Sequence, residues 1–214
     1  MVETQLSYHH GSLRRALLDA GLEVARSGGP AAISLRELTR AVGVSPNAAY
    51  RHFADREAFM RALAGEAQLG LASAIRSSID AIPSSASPEQ ASIERLRRVG
   101  LSYIAFAREE PGWFELAYVS KYLGPSTDPV TPGGAVSEGF ALLRGALDGM
   151  VEAGVLAAER RPGKEWACWS AVHGFADIAV HGPLRVHPAA TIDRLAAEVV
   201  DTVIVGVLGR AIEA

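Results

Sequence analysis

Asn47 and Arg51 stand four residues apart, the spacing that sets two side chains next to each other on one face of a helix. Both types can read base pairs. An asparagine amide can pair with adenine and a guanidinium with guanine, each through two hydrogen bonds. Tyr50 and His52 carry groups that can donate to phosphate oxygens. If Ala49 and Phe53 face inward, then Pro46, Asn47, Tyr50 and Arg51 lie on the outer side, and small Ala48 lets the helix approach a groove closely.

Other constellations offer less. His173, Asp177 and His181 recur every four residues, and imidazole and carboxylate are competent zinc ligands. Three side chains spread over two turns cannot all reach one ion, so a polar seam with His173 hydrogen-bonded in the core is the preferred reading, and no metal is expected. Cys168 and His173 are five apart on one helix, which turns them away from each other. No Ser/His/Asp set or phosphate loop stands out. Neither catalysis nor a cofactor is expected.

The base-reading pair needs elements to position it, and the caps supply them. Leu13, Leu17, Ala20 and Val24 form one apolar stripe, which Gly28-Gly29-Pro30 ends. Ser34 and Glu37 have the spacing of a capping box, and Gly43 closes the short helix 35–42. Ser45 is the next N-cap, with Pro46 at the first helical position of a helix over 46–53. Two short helices joined by a tight glycine turn make a helix-turn-helix, whose second helix enters the major groove. Asp55 caps a longer helix from Arg56 to about Ile82. Beyond the linker 83–88, helical patterns cover 89–108, 112–122, 135–153, 163–180 and 189–212, with a break from Gly124 to Gly134. Residues 1–7 show no periodicity and read as a loose arm. The expected architecture is all-α, with about nine helices.

Charge and composition agree. The 214 residues carry a net charge of -3, yet residues 1–60 hold seven Lys/Arg against six Asp/Glu, so the basic excess sits where phosphate would be met. Cys168 is the only cysteine, which excludes an intrachain disulfide and fits a reducing compartment. No signal peptide or bilayer-spanning apolar run is visible, so a cytoplasmic location without membrane association is expected.

Tyr8-His-His-Gly-Ser-Leu-Arg14, Ser34-Leu-Arg-Glu-Leu38, Gly43-Val-Ser-Pro-Asn-Ala-Ala-Tyr-Arg-His-Phe53 and Asp55-Arg-Glu57 together resemble the DNA-binding domain of TetR-type regulators. The resemblance covers residues 8 to about 63. It implies a helical dimer with two recognition helices and a ligand-holding C-terminal domain. It also implies that Arg36, Pro46, Asn47 and Ala48 lie near bases, and that Tyr50, His52 and Arg56 contact phosphate. Ser45 and Arg51 complete the candidate DNA-binding set. The family often has Lys where Arg56 stands, a departure that keeps the charge. Trp169-Ser-Ala-Val-His-Gly174 is similar to the Trp-x-x-x-His-Gly (WHG) signature of one subgroup, as is the stretch Tyr103 to Tyr118 with Glu109-Glu-Pro-Gly-Trp-Phe114.

These readings set the expectations. Residues 1–63 form the DNA-binding domain, with the fourth helix running on to about 82, and 64–214 form the regulatory and dimerisation domain. The partner is a palindromic double-stranded operator, bound by a homodimer through residues 163–212. Ile192, Leu195, Val199, Val203 and Val207 form the seam of the last helix, and small Ala196 and Gly206 allow close approach. A small, mostly apolar effector would sit among Tyr103, Phe106, Trp113, Phe114, Tyr118, Phe140 and Trp169. Tyr103, His173 or Asp177 would orient it. A constitutive DNA-binding regulator with a solid core is the alternative; an enzyme using the C-terminal cavity is a more distant one.

Overall fold

The computed structural model describes residues 10–119 and 137–209. The expected arm at 1–7, the motif residues Tyr8 and His9, the break from Gly124 to Gly134 and the helix ends 120–122, 135–136 and 210–212 lie outside the described residues. Among the described residues there are nine α-helices and no strand: α1 (His10–Gly28), α2 (Leu35–Val42), α3 (Pro46–Tyr50), α4 (Arg56–Asp80), α5 (Pro88–Glu109), α6 (Pro111–Phe114), α7 (Glu138–Glu152), α8 (Lys164–Val180) and α9 (Ala189–Leu208). A π-helical turn, Glu115–Val119, continues α6. The described residues fall into two compact units. One lies within Met1–Ala67 and Gly112–Pro125, the other within Gln68–Pro111 and Ser126–Ala214.

In the first unit α1 packs inward through Leu17, Leu18, Leu22 and Ala25, all buried; of the expected stripe only Leu17 is buried, while Leu13, Ala20 and Val24 are half-buried. Ser34 caps α2 by accepting from the Glu37 backbone N–H at 3.5 Å, a long contact. Gly43 ends α2 at φ 80°, in the left-handed region where a side chain would be strained. Asp55 takes the Ala58 N–H at 2.6 Å and starts α4. Residues 112–118 belong to this unit because Trp113 is held to α1. Its indole N–H donates to the Leu22 carbonyl at 2.8 Å, and Arg26 lies over its ring at 4.6 Å from the centroid. Gly112 meets α1 so closely that a Cβ there would fall 1.8 Å from the Ala25 carbonyl oxygen.

In the second unit α5 is the central helix, and α7, α8 and α9 pack on it. Ser87 and Gln90 form a full capping box at its start. Ser87-Pro88-Glu89-Gln90 carries that signal in the sequence, although the stretch to Pro88 reads first as linker. Arg161 ties α7 to α8 by donating to Asp148 at 2.7 Å and to buried Glu165 at 2.6 Å. Arg160 donates to the Leu208 and Val207 carbonyls, which the end of α9 leaves without helical partners. Ile192, Ala196, Val200, Ile204 and Val207 are buried within the protomer. Ile192, Ala196 and Val207 therefore turn inward instead of forming a seam. Helix α9 is apolar on two sides, and a sequence stripe does not say which side faces the protomer's own core.

Candidate nucleic-acid interface and ligand cavity

Helices α2 and α3 form the expected helix-turn-helix, joined through Gly43, Val44 and Ser45. The Val44 N–H reaches back to the Thr39 carbonyl at 2.9 Å, which fixes the turn. Helix α3 stops at Tyr50, shorter than the expected 46–53. Arg51 and His52 form a turn, and the Phe53 N–H bonds the Ala49 carbonyl at 3.0 Å. The inward pair is as expected: Ala49 is fully buried, and Phe53 meets Phe59 edge to face with centroids 4.9 Å apart. This anchoring turns the other faces of α3 outward.

Arg36, Ser45, Pro46, Asn47, Tyr50, Arg51 and Arg56 are exposed; Ala48 and His52 are half-buried. Tyr50 is 53% exposed, unusual for a large aromatic ring. Ser45 has extended N-cap geometry but its hydroxyl makes no cap bond, so it remains available to a ligand on the outer side. One guanidinium nitrogen of Arg56 lies 3.4 Å from the Ile33 carbonyl, which steers the side chain at the start of α4. The arrangement offers amide, guanidinium, phenol and imidazole groups around a short helix whose approach side is small. Such a surface can bind a polyanion and read base edges.

The second unit contains a small, partly open apolar cavity. Tyr103 and Trp169 are among its lining residues. Most of the remaining wall is aliphatic, including Leu96, Val99, Leu143, Val172 and Val203, with Gly100 set among them. The free room inside is about 30 Å3. That is space for a water molecule or two, while ligand pockets usually run to roughly 300 Å3 or more. Sequence reasoning missed the aliphatic wall because a cavity-facing leucine or valine has the same type and spacing as a core one.

The other expected ligand residues are placed differently. Phe140 is buried beside Trp169, with ring centroids 5.5 Å apart, and Phe106 is buried in α5. Trp113, Phe114 and Tyr118 do not line this cavity; they belong to the first unit. His173 stacks on Trp169, and its Nδ1 lies 2.8 Å from the Tyr103 hydroxyl. Desolvation by burial holds the His173 imidazole below its ordinary range, and the charge of Asp177 works against that shift. Asp177 is half-exposed and pairs with Nδ1 of His181 at 2.8 Å. Tyr103–His173 and Asp177–His181 are thus two polar contacts along α8, linked by the Asp177 charge acting on His173. Among the described residues no group of three or more His, Cys, Asp or Glu is placed to hold a metal ion. Burial pushes the Cys168 thiol up to about 11, so it stays protonated at neutral pH and is a poor nucleophile.

Two family models match this chain. Residues 17–63 match bacterial regulatory proteins of the tetR family, and residues 96–203 match the tetracyclin repressor-like C-terminal domain. No curated protein sequence matches it. Among solved structures, it is similar to a protein of unknown function from Rhodococcus sp. RHA1, at 27% identity and a TM-score of 0.67, covering 96% of this chain and 100% of that one. A TetR family transcription regulator from Marinobacter aquaeolei VT8 has 19% identity and a TM-score of 0.60, over 90% of this chain and 95% of that one. The TetR family transcriptional regulator PfmR from Thermus thermophilus has 22% identity and a TM-score of 0.58, over 91% of this chain and 99% of that one. At these identities the last two speak for the fold.

Proposed function

Because the chain belongs to the tetR family of transcriptional regulators, we propose that it is a repressor that occludes a promoter and leaves it when a small, mostly apolar molecule enters the cavity of the second unit. The observation that carries the DNA half is the outward face of α3. Asn47, Tyr50 and Arg51 are exposed there while Ala49 and Phe53 are locked inside. In this reading Arg36, Pro46, Asn47, Ala48 and Arg51 face bases, and Ser45, Tyr50, His52 and Arg56 hold phosphates. Residues 1–63 serve as the DNA-binding domain and 64–214 as the regulatory domain.

Family members bind DNA operators and usually dimerise. We assign the seam to the outer faces of α8 and α9. Leu195, Val199, Val203, Ala171 and Phe175 line a mostly apolar groove there, together with Glu198 and Thr202. Gly174 and Gly206 give a second support. A Cβ at either position would meet nothing within 4 Å in the protomer. The open space at both positions leaves room for close approach by a symmetry mate. Trp169, His173 and Gly174 also fit the WHG subgroup. Trp169 stacks on His173, and His173 meets Tyr103.

The cavity supports an apolar effector. Its one neighbouring polar pair, Tyr103 and His173, already satisfies itself, and no cationic side chain lines the wall to hold an anionic ligand. To act, the ligand must bind the DNA-incompetent conformation better than the competent one. No helix among the described residues is long and apolar enough to cross a membrane. Selection of duplexes from a random pool by the full chain tests the reading. The expected product is an inverted repeat with half-site centres about 34–36 Å apart or a multiple of it. An unenriched pool would refute the proposal.

A further inference from the structure

The cavity and the outer groove share a wall. Val203 of α9 lines both. On α8, Val172 faces the cavity while its neighbour Ala171 faces the groove. A single layer of side chains therefore separates a small apolar space from the surface assigned to the second copy of the chain.

The cavity is also small. With about 30 Å3 free, any organic occupant must push its walls apart. The approach of α5 to α9 is set at Gly100, where a Cβ would sit 3.0 Å from one methyl of Val200, 3.3 Å from the other and 3.5 Å from a methyl of Val172. One added methyl there forces Val200 to yield by a few tenths of an ångström. Packed interiors transmit such displacements because they have few voids to absorb them. Val203 lies one turn from Val200 and Val199 directly before it, on the flank of α9 that carries the groove, so the displacement emerges at Val199 and Val203.

We propose that occupancy of the cavity and self-association of the chain are thermodynamically coupled through α9: an occupant between α5 and α9 pushes Val200 and Val203 outward and weakens the dimer. By linkage the dimer in turn keeps the cavity small and lowers its affinity for the occupant. Two cavities act on one two-fold seam, so each protomer adds its own displacement to the same contact. The proposal rests on the reading of α8 and α9 as the seam.

Variants of the full chain test it even while the effector is unidentified, because an added side-chain atom can be the occupant. Gly100→Ala intrudes from α5, and Leu143→Phe fills the same cavity from α7. Neither touches the outer groove. Dimer dissociation constants are read by sedimentation equilibrium, with far-UV circular dichroism to check that each protomer is folded. Gly100→Ala and Leu143→Phe are expected to raise the dissociation constant at least tenfold. The double variant Gly100→Ala/Val200→Ala, which returns the space, is expected to fall back to within about threefold of the starting protein. Gly206→Leu, placed where the protomer has open space, tests the seam itself and is expected to give folded monomers. If Gly206→Leu is monomeric while both cavity variants dimerise as the parent does, the coupling is overturned and the seam survives. If Gly206→Leu dimerises normally, the seam assignment fails and the coupling falls with it.

Discussion

Helices α3 and α9 both present side chains to the outside, but their residues announce this differently. Of the exposed residues of α3, Asn47 and Tyr50 are types that gain little from that position unless they contact something polar. Helix α9 presents Leu195, Val199 and Val203, whose types are shared with the buried Ile192, Val200 and Ile204 of the same helix. Polar groups at defined spacing therefore mark a candidate contact face in the sequence itself. Aliphatic side chains acquire one only when the fold shows which wall they belong to.

Substitutions put this contrast at risk, because those in the second unit should act on stability and assembly and those on α3 on DNA alone. The largest effect is expected at Arg161. Arg161→Met leaves buried Glu165 without its cation, which should cost about 3–5 kcal/mol in urea unfolding. Unchanged stability would show that Glu165 finds another partner. Next, Val199→Asp places a charge in the proposed seam. Light scattering should show monomers, with a loss of about 3 kcal/mol or more in self-association, roughly a hundredfold in dissociation constant. A persistent dimer would move the seam off α9.

Effects on α3 and its neighbours are smaller and should leave folding intact. Tyr50→Phe, His52→Ala and Arg56→Ala should each weaken binding to every duplex alike by about 1 kcal/mol. Arg56→Ala should also reduce the salt slope by about one. Gel-shift titrations at several salt concentrations measure both, and a loss confined to one sequence would reassign the residue to base reading. The smallest effect concerns His173. Its folded pKa lies below the unfolded value, so the unfolded chain binds its proton first. This group's contribution is fully present above pH 6.5 and is lost as pH falls through the lower folded value. His173→Gln should remove that part of the acid loss in thermal melts. An identical pH profile would mean that His173 titrates alike in both states.

Much of the first unit was legible in the sequence because single residues there have single jobs. Gly43 takes the left-handed turn, Asp55 caps α4, and Ala49 and Phe53 point inward. The stop of α3 at Tyr50 was not, since nothing in Arg51 or His52 forbids helix. In the second unit the helices were legible from their breaks, but not what their aromatic residues touch. Trp113 and Trp169 look equally suited to a cavity in the sequence. One instead donates to the Leu22 carbonyl, and the other lines the cavity. The Tyr103–His173 contact spans 70 residues and could not be read from either side chain alone.

The most direct test of DNA reading by α3 compares Asn47→Ala with the starting chain on a selected operator and on a scrambled duplex of the same length. A loss of about 1–3 kcal/mol on the operator, with little change on the scrambled duplex, is the expected result for a base-reading asparagine. An equal loss on both, or none on either, would contradict the assignment of the α3 face as the sequence-reading surface.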